Sequence, residues 1–423
     1  VVDDLKLRVE YGWSGNENGA NGVYATLTTI PTPFGGGTGF MPDAFPNPDL
    51  RWEIDKMLNL GFDLHLLKNR IEVVADYYIK DMSDLLVKNQ QSTFLGGATS
   101  FDIGSLQWPF TNIGSMKNQG FGLTINTVNL DRKSVNWKTS FNISHDKNEV
   151  TALGGAPMAN FYANSSFATL TEVGSPAALY TGYIAEGLFQ NLEEIKSHAI
   201  QTSNAVLTVN PGTGTWVGDI KYRDLNKDGF INDQDRTVIG NPWPKFTLGF
   251  NNAVTYKNFD FNVFFYGSFG NDVVNYMRFR NEQTGGTAVY SNLFRSVANF
   301  ARPNTVDPAA TSAILTNPGY SIARIAPGDP NGNNRASQWF IEDGSYLRCR
   351  NIALAYNIPE SVFNRINFIK GLKIGANVQN AFTITKYKGL DPEVGQNTSL
   401  IYGMDSGRYP TTRMYSLNLM ANF

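Results

Sequence analysis

One cysteine among 423 residues, and no run of apolar residues approaching eighteen, are the two shortages that narrow this chain most. Cys349 cannot close an internal disulfide, so cysteine usage says nothing about compartment and the residue reads as a small buried apolar side chain. Without ~18 consecutive apolar residues, no helix can cross a bilayer. Excess charge of one sign is missing too: 35 Lys and Arg stand against 37 Asp and Glu, for a net charge of -2. With no basic stripe, nothing marks a nucleic-acid binder. Histidine is scarce, and His65, His145 and His198 stand apart without partner carboxylates or metal-ligand spacing, so they read as structural or solvent-exposed. Gly35 to Gly37 and Gly212 to Gly214 lack the strand-to-helix context of a phosphate loop and read as flexible loop. No catalytic constellation emerges, and an enzyme is not expected.

What the chain has is alternation. Aromatics make up 13% of it, with 28 Phe, 19 Tyr and 40 Gly, and the apolar residues recur at period two. Leu5, Leu7, Val9, Tyr11 and Trp13 oppose Lys6, Arg8 and Glu10; Leu58, Leu60, Phe62, Leu64 and Leu66 oppose Asn59, Asp63 and His65. Ile71, Val73, Ala75, Tyr77 and Ile79 oppose Glu72, Asp76 and Lys80, and the chain stops on Tyr415, Leu417, Leu419, Ala421 and Phe423. Each pattern is that of a strand with one apolar and one polar face.

The spacing predicts ten strands, at 5–14, 52–67, 70–88, 113–130, 135–152, 245–256, 259–277, 346–358, 371–386 and 414–423. Their connections alternate long and short: 15–51, 89–112, 153–244, 278–345 and 387–413 are long, whereas Lys68-Asn69, Asp131 to Lys133, Lys257-Asn258 and Pro359 to Lys370 are short. Transmembrane barrels show this asymmetry, with short periplasmic turns and long outer loops. Soluble domains rarely carry structureless connections of such length. Aromatics near strand ends, among them Trp13, Trp52, Trp137, Tyr256, Phe259 and Tyr356, fit interfacial girdles. The fold class expected is all-β, a transmembrane antiparallel β-barrel. A soluble calcium-binding β-sandwich adhesin stays open as a different class.

Several segments together resemble the C-terminal part of the SusC/RagA-type TonB-dependent transporters of the Bacteroidetes outer membrane. They are Leu5 to Asn16, Asn112-Ile-Gly-Ser-Met-Lys-Asn-Gln-Gly-Phe121, Gly218-Asp-Ile-Lys-Tyr-Arg-Asp-Leu-Asn-Lys-Asp-Gly229 and Asp235-Arg-Thr-Val-Ile-Gly-Asn-Pro242. Trp339-Phe-Ile-Glu-Asp-Gly-Ser-Tyr-Leu-Arg348, Tyr387-Lys-Gly-Leu-Asp-Pro-Glu393 and Gly403-Met-Asp-Ser-Gly-Arg-Tyr-Pro410 complete the set. The resemblance implies a barrel of about 22 strands with a plugged lumen. Residues 1–423 would be its ten C-terminal strands, with the plug domain and earlier strands outside this chain. It also implies TonB-energised import of a bulky nutrient, a glycan or peptide, and a SusD-like surface lipoprotein as a lid on loops 153–244 and 278–345. The barrel would sit in outer-membrane lipid, with Phe423 as its assembly signal. A passive porin or structural barrel is the alternative.

The polar strand faces, including Lys6, Arg8, Glu10, Asp63, Glu72 and Asp76, would line the lumen or meet the plug, though the substrate itself is not legible. The sharpest local motif is Asp224-Leu-Asn226-Lys-Asp228-Gly229-Phe230 through Asp235. Its spacing matches a calcium loop, with side-chain oxygens at positions one, three and five, Gly at six, the Phe230 carbonyl at seven and Asp235 at twelve. Asp235 stands where a longer Glu gives bidentate coordination, and an Asx-rich turn is the competing reading. Calcium is the one cofactor suggested. Asn142-Ile-Ser144 and Asn164-Ser-Ser166 match glycosylation sequons, a match expected to be empty in a bacterial setting. Loop aromatics Phe161, Tyr162, Trp216, Trp243 and Trp339 either stack on a ligand or pack the loops together.

Overall fold

The computed structural model describes residues 2–17, 24, 27–31, 38–42, 46–88, 109–162, 167–202, 206–282, 292–317, 322–362, 370–398 and 400–423. Gly35 to Gly37 and the Asn164 sequon lie outside the described residues.

One antiparallel sheet of ten strands runs through the chain in sequence order. The strands are β1 (Val2–Asn16), β2 (Glu53–Leu66), β3 (Ile71–Lys88), β4 (Phe110–Arg132), β5 (Val135–Ala152), β6 (Phe246–Tyr256), β7 (Phe259–Phe269), β8 (Tyr346–Ile358), β9 (Gly371–Thr385) and β10 (Met414–Asn422). Their register stacks apolar on apolar across the sheet. Leu7 faces Phe62, Phe62 faces Ala75, Ala75 faces Leu123, Leu123 faces Ile143 and Ile143 faces Leu248. Further on, Phe261 faces Leu354, Leu354 faces Ala376 and Ala376 faces Leu417. These rows are most exposed on the edge strands, Leu7 at 74% and Leu417 at 88%, and within the sheet Phe62 is 36%, Phe261 39% and Leu354 50% exposed. A monomer in water avoids so broad an apolar face, and lipid contact removes the cost.

The opposite face is polar and braced across strands. Arg8 Nη2 lies 2.9 Å from Asp63 Oδ1 and 3.0 Å from Asp76 Oδ1. Lys80 meets Asp55 at 2.9 Å and Lys373 meets Asp260 at 2.7 Å. Arg8 reaches Asp76 over an intervening strand because Gly61 lies between them in the register, with Arg8 opposite Gly61 and Gly61 opposite Asp76. A Cβ on Gly61 would overlap the Asp76 carboxylate and stand 3.0 Å from Arg8 Nη2.

Most of the hydrophobic core lies in the long connections, and a small third cluster of Val150, Leu153 and Ala177 sits at the loop end of β5. One cluster joins Phe189, Ile195, Trp216, Ile220, Tyr222 and Leu315; a second joins Phe167, Tyr180, Val274, Phe279, Phe340 and Met404. The expected strand 259–277 ends at Phe269, where Gly270 takes φ +82. The chain then pairs Asp272–Val274 with Ile341–Asp343 and enters a helix at Tyr276–Asn281 capped by Asn275. Val273, Val274, Tyr276 and Phe279 sink into the loop core instead of continuing the outward face. Period-two apolarity does not distinguish a lipid-facing strand from a strand and helix buried under a loop. Between β8 and β9 the chain makes a 3-10 turn at Glu360–Val362.

Gly61→Val is expected to part Arg8 from Asp76 and to lower stability by about 1–3 kcal/mol, read as an earlier unfolding midpoint in detergent; an unchanged midpoint would count against the bracing role.

Candidate functional site: the outer loops and the polar lumen wall

Because the strands alternate in direction, all long connections emerge at one end of the sheet, where three buried arginines fasten the last three of them. Arg324 forks onto Asp219, Nε to Oδ1 at 3.0 Å and Nη2 to Oδ2 at 2.9 Å, while Nη1 donates to the Pro211 carbonyl at 2.7 Å. Asp219 also accepts from the Trp216 N–H at 2.7 Å and from Asn333 Nδ2 at 2.9 Å. Burial pushes the Asp219 carboxyl above its ordinary value, and the Arg324 fork, Asn333 and the Trp216 N–H oppose that push. Arg278 binds Glu282 at 2.9 Å and Glu342 at 2.7 Å, and Glu342 accepts in turn from the Lys388 N–H at 2.8 Å.

Arg348, on β8 at the rim, donates to Thr383 Oγ1 at 2.8 Å, Glu393 Oε2 at 2.7 Å and Asp391 Oδ1 at 2.5 Å. Arg350 adds a 2.6 Å bond to Glu393. The same final loop is held from inside by the Tyr387 hydroxyl, which donates to Asp405 Oδ2 at 2.5 Å. Burial, with Asp405 alongside, drives the Tyr387 phenol far above its ordinary value, so it remains a donor. Tyr180 donates to the Tyr402 carbonyl at 3.0 Å, and Thr169 to the Leu400 carbonyl at 2.6 Å. Three family-like segments of the sequence, ending in Arg348, Glu393 and Pro410, therefore form one cluster in space.

Beside this cluster lies a cleft of about 460 Å³ with an apolar lining from Met277, Phe294 and Leu390 and a charged margin from Arg278, Glu282 and Lys388. The loop aromatics mostly pack the loops. Trp216 is fully buried with Nε1 on the Thr305 carbonyl at 2.9 Å, and Trp243 donates to the Ala177 carbonyl at 2.7 Å. Tyr162 packs edge-on to Tyr276, Trp339 bridges the two core clusters, and Phe161 stays exposed.

Of the lumen residues, Arg8, Asp63 and Asp76 come together as described. Glu72 meets Asn126 Nδ2 at 2.9 Å and lies 3.9 Å from His65 Nε2, while Lys6 and Glu10 are exposed on the edge strand. His145 bonds the Lys245 carbonyl and His198 the Tyr222 carbonyl, both structural contacts. Cys349 is buried, as expected.

Asp224, Asn226, Asp228, Phe230 and Asp235 do share one loop. Asp224 accepts from the N–H groups of Lys227 at 2.7 Å and Gly229 at 2.9 Å, and Asp228 from Phe230 at 2.8 Å. The Phe230 N–H and the Asn226 side chain hold the Asp228 carboxyl below its ordinary value. Asp235, buried, accepts from Leu225 at 2.8 Å and Asn232 at 2.9 Å, forming a capping box with Asn232. Its carboxylate thus ties the loop's base, and among the described residues no three His, Cys, Asp or Glu side chains converge as a metal-ligand cluster.

Sequence reasoning missed the Arg324–Asp219 and Arg278–Glu342 pairs, because their members lie 105 and 64 positions apart and single charged residues carry no local pattern. Asp391 offers a test of the rim cluster. Against the desolvation of its site, the N–H groups of Glu393 and Thr411, with Arg348, hold its carboxyl below the ordinary 3.8. A lowered folded-state value adds stability that is complete above the unfolded value and is lost as pH falls through the folded one. Hydrogen exchange in residues 386–413 is therefore expected to accelerate below about pH 4. Asp391→Asn should bring part of that opening, about 1–3 kcal/mol, to neutral pH; exchange insensitive to both would remove Asp391 from the fastening.

No family model matches the chain. A TonB-dependent receptor, P26, of Formosa agariphila is 30% identical over 433 residues, covering 99% of this chain and 40% of the receptor. TonB-dependent receptor SusC of Bacteroides thetaiotaomicron is 28% identical over 438 residues, covering 100% of this chain and 38% of SusC. Among solved structures, the RagAB peptide transporter superposes with a TM-score of 0.74 at 21% identity, over 100% of this chain and 41% of that one. The chain spans about two fifths of the length of the curated relatives it matches. With its ten-strand sheet, outward apolar rows and fastened loops, the chain resembles part of the barrel of these SusC-like TonB-dependent receptors.

Proposed function

We propose that this chain supplies ten C-terminal strands of an outer-membrane transporter that imports a bulky glycan or peptide with energy from TonB. The observation that carries the reading is the division of the molecule. A sheet with a bare apolar face and a braced polar face continues into long loops that possess their own cores and a cleft. Relatives named as TonB-dependent receptors and a neighbour named as a peptide transporter support it. Uptake by cells carrying the full-length protein should vanish when TonB is deleted; uptake that persists would favour the passive porin.

A SusD-like lipoprotein is the proposed lid over loops 153–244 and 278–345. The hairpin that bonds Asn304 N to the Ile314 carbonyl leaves Val306 and Ile314 exposed as an apolar tip on loop 278–345. Val306→Asp with Ile314→Asp should cut co-purification of the lipoprotein roughly tenfold or more, as loss of a buried apolar anchor does, with folding unchanged; undiminished co-purification would place the lid elsewhere.

For the 224–235 loop we propose calcium held by Asp224, Asn226, Asp228 and the Phe230 carbonyl, with Asp235 ordering the base. Calcium would stiffen an outer loop, and added calcium should raise the melting temperature of the wild type but not of Asp228→Ala. A melting curve indifferent to calcium would end the idea.

A further inference from the structure

The short-turn end of the sheet carries its own chemistry. Trp137, Tyr256, Phe259 and Tyr356 are exposed there, at matched levels: Trp137 opposes Val254, Tyr256 opposes Phe259 and Phe259 opposes Tyr356. Trp137 Nε1 donates to Asn252 Oδ1 at 2.9 Å, Thr139 Oγ1 donates to the same oxygen at 2.9 Å, and Asn129 Nδ2 donates to Thr139 at 2.7 Å. The outward face changes from apolar to polar at this level, as a strand does where it leaves hydrocarbon for headgroups.

Just beyond stand Lys68, Arg132, Lys133, Lys257 and Lys370, all exposed and none with an ion-pair partner among the described residues. Arg70 is used differently, donating to the Val128 and Asn129 carbonyls at 3.2 and 2.7 Å. Asp131 and Glu360 are the carboxylates within these four connections, and Asp131 accepts from Asn136 at 3.0 Å; from the edge strand β1, Asp3 reaches the first turn and accepts from the Asn69 N–H at 3.0 Å. The turns are tied side by side through Lys257 N to the Ser134 carbonyl, Asn357 N to the Asn258 carbonyl and Lys370 N to the Asn422 carbonyl, each at 2.8 Å. The cations therefore form one arc along the turns, with Lys257 Nζ 5.4 Å from the centre of the Tyr256 ring and the stretch from Arg132 to Lys257 just outside the aromatics.

We propose that this arc docks anionic phospholipid headgroups of the leaflet on the turn side. The proposal rests on the membrane-barrel reading and names the lipid partner of its periplasmic rim. A soluble anion would find the charges but would have no use for the aromatic belt beneath them; a phospholipid uses both, its phosphate at the cations and its upper chains against the rings. Each cation at an anionic surface is worth up to roughly fivefold in binding.

The test reconstitutes the full-length protein in bilayers of equal parts phosphatidylglycerol and phosphatidylcholine and measures the lipid retained after extraction by mass spectrometry. Phosphatidylglycerol is expected to be enriched roughly severalfold over the bulk, with the enrichment lost at high ionic strength. It should also fall to parity when Lys68, Lys133, Lys257 and Lys370 are all changed to Gln. Insertion with no preference for either lipid overturns the lipid proposal and leaves the barrel reading standing. Enrichment that survives both salt and the four substitutions also overturns it, because the anionic lipid then sits elsewhere. Failure of the wild type to enter a bilayer would overturn both readings.

Discussion

Every backbone N–H and C=O of a lipid-exposed strand must find its partner in the neighbouring strand, because hydrocarbon offers none. The rest of this molecule follows from that constraint. Ten strands pair in sequence order, each antiparallel to the next, and their side chains divide between two faces that never bury one another. A sheet with one exposed apolar face and one polar face has little interior of its own. Its polar face is braced by ion pairs such as Arg8 with Asp63 and Asp76 that couple strands laterally.

The interior that the sheet lacks is built by the loops. Trp216, Tyr180, Tyr222 and Phe340 are fully buried there, and the charged groups among them are compensated in kind. Taking a guanidinium out of water costs several kcal/mol unless its donors are met. Arg324, Arg278 and Arg348 each meet carboxylates on segments distant in sequence. Arg324 forks onto the plane of Asp219, so that pair sets orientation as well as proximity, while Arg278 and Arg348 each join two separate carboxylates. The final loop is consequently tied both to the barrel rim and to the loop core, and the cleft lined by Met277, Phe294 and Leu390 is bounded by held elements.

Much of the architecture was legible in the residues. Period-two alternation placed the ten strands to within a few positions, and the long-short rhythm of connections ordered them. The exception, the strand expected to reach residue 277, shows the limit of the signal. Beyond Phe269 the apolar residues serve a buried loop strand and helix, and alternation alone does not say which surface an apolar side chain meets. The family-like segments were visible as strings, yet their joint purpose was not. Arg348 with Asp391 and Glu393, and Tyr387 with Asp405, become a fastening only when the final loop folds back on the rim. The 224–235 motif was legible as calcium-loop spacing with an Asx-rich turn as the competing reading, while the engagement of Asp235 with Leu225 and Asn232 belongs to its folded geometry.

By itself, then, the sequence determined the strands, their faces and their order, because those depend on side-chain periodicity and on hydrogen bonding between neighbours along the chain. Only the tertiary structure decided where the core lies, which arginine meets which carboxylate and how the loops enclose a cleft. Those outcomes rest on contacts between residues as far apart as Thr169 and Leu400. Desolvation at such contacts acts on positions that share no local pattern, and the chain's linear order does not record it.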